Sequence, residues 1–172
     1  MSCRENSVAQ SQLQSELRKK RPFDLLEQEV QLNLVRTADH AAVEFGRLFS
    51  EHQLTGPQYN VLRILRGSGG EGLPCQEIAG QMLTRTPDIT RLVDRLEQAK
   101  LVQRARTTTD RRVVLVRITA TGLKVLSRLD RPVLELHKGL LSHLTRAELT
   151  ELNRLLAKAR QGNTNRDAPA EP

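Results

Sequence analysis

Arginine is the residue through which this chain can do chemistry, and its placement suggests the kind. Between Thr55 and Thr121 stand eleven Lys or Arg against six acids. Arg85, Thr86, Asp88, Thr90, Arg91 and Arg95 fall outside an apolar stripe of Ile89, Leu92, Val93 and Leu96, spaced i, i+3, i+4, i+7 as on one helix face. A guanidinium can bond guanine O6 and N7 together, and a threonine can bond a base edge or pack on a thymine methyl. A helix entering the major groove uses its N-terminal residues, here Arg85, Thr86, Asp88, Thr90 and Arg91. An ordinary charged face, paired through Asp88/Arg91 and Arg91/Asp94, would carry the same residues. The helix by itself leaves both readings standing.

The stretch that follows separates them. Leu101 to Arg106 alternates, Val113 to Ile118 is rich in β-branched residues, and Thr107 to Arg111 between them reads as a turn. This hairpin carries Arg104, Arg106, Arg111, Arg112 and Arg117, opposed by Asp110 alone. A hairpin that meets only solvent has no need of so uneven a balance. At its tip, Arg111 or Arg112 can enter a minor groove, where the negative potential is enhanced. Asp110 is unfavourable near phosphates unless it pairs locally, so it is expected to hold Arg112 or Arg104. The alternative is that it only shapes the turn. Arg63, Lys100, Arg104 and Arg117 are the expected phosphate contacts.

Other chemistries find no support. No nucleophile–base pair stands out, so no enzyme activity is expected. The loop Gly67-Ser68-Gly69-Gly70-Glu71-Gly72 lacks the G-K-[ST] ending of a phosphate-binding loop and reads as a connector. His40 and Glu44 lie one turn apart, and His137 and His143 six residues apart, so no H-E-x-x-H face exists; no metal and no cofactor are expected. Cys3 and Cys75 make no disulfide framework. Cys75 follows Pro74 at a helix start, a place where a thiol can become reactive. A small buried hydrophobe is the stronger reading. No apolar run approaches the ~20 residues of a membrane span, so no membrane partner and a cytoplasmic location are expected.

The formal charge is +7 and the pI about 10.1, a footprint for polyanions. Phe23 to Leu54 runs the other way, with six acids against two arginines. The elements that must position the arginines read as follows. Residues 1–21 form a flexible basic arm ending in Arg18-Lys19-Lys20-Arg21, either solvated and partly disordered or touching phosphates, and Gln12 to Leu17 could extend the next helix backwards if Pro22 sits in a kink. Phe23 to His52 is a long helix with Phe23, Leu26, Val30, then Val35, Ala38, Ala42, Phe45 and Phe49 at spacings of three and four, with one slip. Thr55 and Pro57 open a helix over 58–66, and Pro74 to Met82 is a short one with Ile78, Ala79 and Met82 inward. Thr86 then caps a helix whose first residue is Pro87. From Thr119 a second long helix carries Leu126, Leu129, Val133, Leu136 and Leu140, and Pro132 should kink or divide it. Thr145 to Glu148 is a capping box opening a last helix.

This predicts a mainly α chain with a small β-hairpin wing, a winged helix-turn-helix over 55–119. Dimerisation helices over 22–54 and 120–160 flank it, and residues 161–172 form a disordered tail. The long helices carry apolar surface beyond what one small domain needs, which calls for a second copy.

At this point the residues resemble a known family. The run L-T-x-x-Q-Y-x-V-L appears as Leu54-Thr55-Gly56-Pro57-Gln58-Tyr59-Asn60-Val61-Leu62. Glu77-Ile78-Ala79 follows, then Ile89-Thr90-Arg91-Leu92-Val93-Asp94-Arg95-Leu96-Glu97, then D-x-R as Asp110-Arg111-Arg112 and I-T-x-x-G as Ile118 to Gly122. Together these look like the MarR family of bacterial winged-helix regulators, over roughly Phe23 to Arg160. The resemblance implies a homodimer on pseudo-palindromic double-stranded DNA, usually a repressor, often released by a small-molecule effector bound near the dimer helices. Its wing aspartate and arginine carry over to Asp110 and Arg112. Arg36, Asp39 and His40 are the polar residues that could meet such an effector. A nucleoid-type protein binding DNA without sequence preference is the alternative. Two departures stand out: Lys100 occupies the place of the usual helix-ending Gly, and the first long helix has no Cys of the peroxide-sensing kind.

Overall fold

The computed structural model describes residues 10–85, 88–106 and 114–164. In order these form α1 (Gln12–Glu16), α2 (Leu26–Ser50), α3 (Gly56–Gly67), α4 (Cys75–Gln81), α5 (Ile89–Gln98), β1 (Val102–Arg106), β2 (Val114–Ile118), α6 (Ala120–Leu140) and α7 (Arg146–Thr164). The fold is mainly helical, with one antiparallel hairpin in which Arg104 faces Val116. The chain divides into two compact units, one running to Leu126 and the other starting at Ser127.

In the first unit, α3 starts where the sequence puts it. The Thr55 hydroxyl accepts the Gln58 N–H at 3.4 Å, and the Gln58 side chain accepts the Thr55 N–H at 2.9 Å. Val61, Leu62 and Leu65 of α3, Ile78 of α4, and Val93 and Leu96 of α5 are fully buried, together with Val102 and Val116 of the hairpin. Side chains of this size contribute roughly 1.5–3 kcal/mol each when removed from water. At the α2–α3 join, Phe49 stacks on Tyr59 at 4.4 Å between ring centroids and on Phe45 at 5.9 Å.

Several expectations are corrected. The N-terminal arm is structured from residue 10: Ser11 caps α1 by accepting the Gln14 N–H, Leu13 and Gln14 are buried, and Glu16 pairs with Arg36 of α2 at 2.8 Å. Arg18 takes φ +51, and Lys19 then donates back to the Gln14 carbonyl. Of the apolar series on α2 only Phe49 is buried, because a single chain supplies no surface for the rest. Ala79 on α4 is exposed, since a helix of seven residues turns only Ile78 fully inward. Pro132 lies inside α6 without dividing it. Residues 161–164, expected in a disordered tail, continue α7. The capping box of α7 forms: Glu148 accepts from the Thr145 N–H and hydroxyl at 2.7 and 2.8 Å, and Thr145 accepts the Glu148 N–H. No described helix is long and apolar enough to cross a membrane.

Candidate nucleic-acid interface

The helix with the basic face begins later than expected. Asp88 caps it: one carboxylate oxygen accepts the Arg91 N–H at 3.0 Å, and the other pairs with the Arg91 guanidinium at 3.1 Å. Thr86 and Pro87 lie outside the described residues. A carboxylate over the first turn is favourable because the unbonded N–H groups there carry partial positive charge. With Val93 and Leu96 buried, Arg85, Thr90, Arg91 and Arg95 are left exposed. The turn before the helix is tied to α3, where the Asn60 side-chain oxygen accepts the Leu83 N–H at 2.8 Å.

Lys100 ends the helix at φ +59. Its N–H reaches the Glu97 carbonyl at 2.8 Å, and the Leu101 N–H reaches the Leu96 carbonyl at 2.9 Å. This is the paired closure that a left-handed residue after a helix makes possible, and glycine is the residue that adopts it without strain. Lys100 is exposed there. The hydroxyl of Thr119 then donates to the Lys100 and Leu101 carbonyls and accepts the Gly122 N–H, joining the base of the hairpin to the start of α6. A Cβ on Gly122 would collide with the Leu101 carbonyl oxygen and lie 2.8 Å from Ile118 Cγ1, so glycine is required.

The hairpin gains a third partner that the sequence did not show. Leu73 and Val116 exchange backbone hydrogen bonds at 3.0 and 2.9 Å. Gly72 makes this approach possible at φ +82, since a Cβ there would stand 2.7 Å from the Val116 carbonyl. Arg117, an expected phosphate contact, donates from Nε to the Glu71 carbonyl at 3.0 Å. Arg106 is exposed at the end of β1, and Arg63 is exposed on α3. Asp110, Arg111 and Arg112 at the wing tip lie outside the described residues.

Arg104 does not point outward with its neighbours. Its guanidinium bonds Asp94 at 2.7 Å and Glu97 at 2.6 Å, and its backbone N–H donates to the second Glu97 oxygen at 2.9 Å. Among the described residues its partners are thus two acids of α5; Asp110, expected to hold Arg112 or Arg104, lies outside them. Desolvation lowers the guanidinium pKa, but hydrogen bonds and charge from Asp94 and Glu97 outweigh it and hold the group above its ordinary value. Asp94 and Glu97 lie three residues apart on one helix face, which was the available signal for a shared partner.

Arg36, Asp39 and His40 are all exposed on α2, and Arg36 is the partner of Glu16. A cavity of about 230 Å³ beside α1 is lined by Ser11, Gln14, Phe23, Leu26 and their neighbours, and by none of these three. Among the described residues no three His, Cys, Asp or Glu cluster as a metal site would require.

A basic helix reached through a short turn, followed by a hairpin, defines a winged helix-turn-helix DNA-binding protein. The MarR family model matches residues 54–114. The chain is 34% identical to the transcriptional repressor IacR of Pseudomonas putida over 123 residues, 72% of each chain. It resembles the crystal structure of a MarR transcription factor from Planctomyces limnophilus with 44% identity and a TM-score of 0.61, over 79% of this chain and 98% of that one. It also resembles a mutant MarR of E. coli solved with operator DNA, with 25% identity and a TM-score of 0.69, over 80% of this chain and 99% of that one. The chain belongs to the MarR family. It is a DNA-binding transcriptional regulator rather than an enzyme.

Proposed function

We propose that the chain acts as a homodimeric, sequence-specific repressor. Exposed apolar surface on α2 carries the dimer reading: every residue from Val30 to His40 is exposed, and Leu25, Leu26, Val30 and Val35 are each at least half exposed. Contiguous apolar surface of this kind marks an interaction face. Leu152 and Leu155 supply a second such surface on α7, lining an open depression with Leu144 and Ala147. The mass in solution is expected to be twice 19.4 kDa. A monomer by sedimentation at micromolar concentration would reject the reading.

Base readout falls to Arg85, Thr90, Arg91 and Arg95, with Asp88 orienting Arg91 and Thr86 completing the N-terminal face. The wing contacts fall to Arg106, Asp110, Arg111 and Arg112, and the phosphate contacts to Arg63, Lys100 and Arg117. Repression is supported by the repressor named among its relatives. Relief by a small-molecule effector follows the family resemblance, with Asp39 and His40 available on α2 and Arg36 once it leaves Glu16. Transcription from the cognate promoter should rise when the protein is removed. A fall would make it an activator.

A further inference from the structure

Arg104 holds two carboxylates of the recognition helix from the middle of the wing strand. Both oxygens of the Glu97 carboxylate are engaged: one accepts from the Arg104 guanidinium and the other from the Arg104 backbone N–H. The Arg104 side chain is 27% exposed, so solvent screens it less than it screens the outward arginines. Opposite Arg104 in the hairpin stands Val116, which is itself bonded to Leu73. The wing is therefore tied on one side to the loop before α4 and on the other to α5.

We propose that Arg104 is a positioning residue that sets the wing against the recognition helix, and that Asp94 and Glu97 support DNA binding through it although both are acids. The inference rests on the reading of α5 and the hairpin as the DNA-contacting elements. Its physical content is a reversal of sign. An acid standing idle near a polyanion repels it, so neutralising that acid tightens binding. An acid that holds the wing in place has the opposite effect when neutralised, because the wing's phosphate contacts go with it. A lysine keeps the charge of Arg104 but lacks the planar fork that bridges two carboxylates.

The test is a fluorescence-anisotropy titration of the full-length protein on a random-sequence duplex and on a duplex recovered by site selection, at several salt concentrations. The variants are Glu97→Gln, Arg104→Met, Arg104→Lys and the double Glu97→Gln/Arg104→Met. Affinities are referred to the active fraction measured by stoichiometric titration, so that partial unfolding is not read as weak binding. Glu97→Gln and Arg104→Met are each expected to weaken binding by about tenfold and to lower the salt slope by about one or more, since lost phosphate contacts lower that slope. The double variant should be no weaker than the singles within about twofold, as for groups acting as one unit. Arg104→Lys should not restore binding. Unchanged or tighter binding by Glu97→Gln overturns the proposal, as does wild-type affinity in Arg104→Lys or multiplicative loss in the double. The random duplex decides this alone. A wild type that does not prefer the recovered duplex rejects sequence specificity and leaves the clamp result intact.

Discussion

Replacing Lys100 separates two effects that meet at one residue. At φ +59 a residue with a Cβ is strained by about 1–2 kcal/mol, while glycine loses roughly 0.5–1 kcal/mol more backbone freedom on folding. Lys100→Gly should therefore stabilise the fold by a net of about 1 kcal/mol, which for a chain of this size raises the thermal midpoint by about 2–4 °C. Lys100→Ala removes the charge and keeps the strain, so the gain belongs to the comparison of Gly with Ala. Both variants lose one cation per protomer at a proposed phosphate contact, two in the dimer, and both should lower the salt slope of duplex binding by about 1.8. The assay is thermal unfolding at fixed protein concentration, paired with anisotropy titrations over a salt series. Equal midpoints for the Gly and Ala variants would show that the left-handed turn carries no strain. An unchanged salt slope in both would remove Lys100 from the phosphate contacts.

Gly122→Ala should destabilise by about 1–3 kcal/mol, because the new methyl meets a backbone oxygen that cannot move without the Thr119 cap; a urea midpoint equal to wild type would refute the steric account. Glu148 has its pKa lowered by the Thr145 N–H and hydroxyl, so its contribution to stability is present above the ordinary carboxylate range and disappears as pH falls through the lowered value. The midpoint difference between wild type and Glu148→Gln should accordingly shrink on acidification, and a constant difference from pH 7 to pH 2 would contradict it. Arg91→Ala should weaken the selected duplex more than a random one; equal losses would mean that Arg91 reads no base.

Much of the architecture was legible because it rests on local signals. Thr55 and Gln58 announce the start of α3, the stripe from Ile89 to Leu96 announces α5, and the β-branched run ending at Ile118 announces a strand. What escaped depends on partners distant in sequence or on competition between neighbours. Gln12 to Leu17 read at most as a backward extension of the long helix, whereas α1 stands as a separate helix, held by the Arg18 turn and by an ion pair to Arg36, twenty residues beyond Glu16. Thr86-Pro87 has the composition of a helix start, yet the Asp88 carboxylate reaches the Arg91 N–H and takes the cap. Arg104 reads as one more wing arginine until α5 places Asp94 and Glu97 beside it. Asn60 gives no local sign of its bond to Leu83, because that contact exists only once α3 lies under the turn.

The central claim is a dimer that reads sequence through two copies of α5 and its wing. Selection from a random duplex pool with the full-length protein tests it most directly. The expected result is an enriched site with two-fold symmetry, half-sites about one helical turn or ~34–36 Å apart, and binding at least ~10³-fold tighter than random DNA. A pool that shows no enriched sequence, or a site without two-fold symmetry, would contradict it.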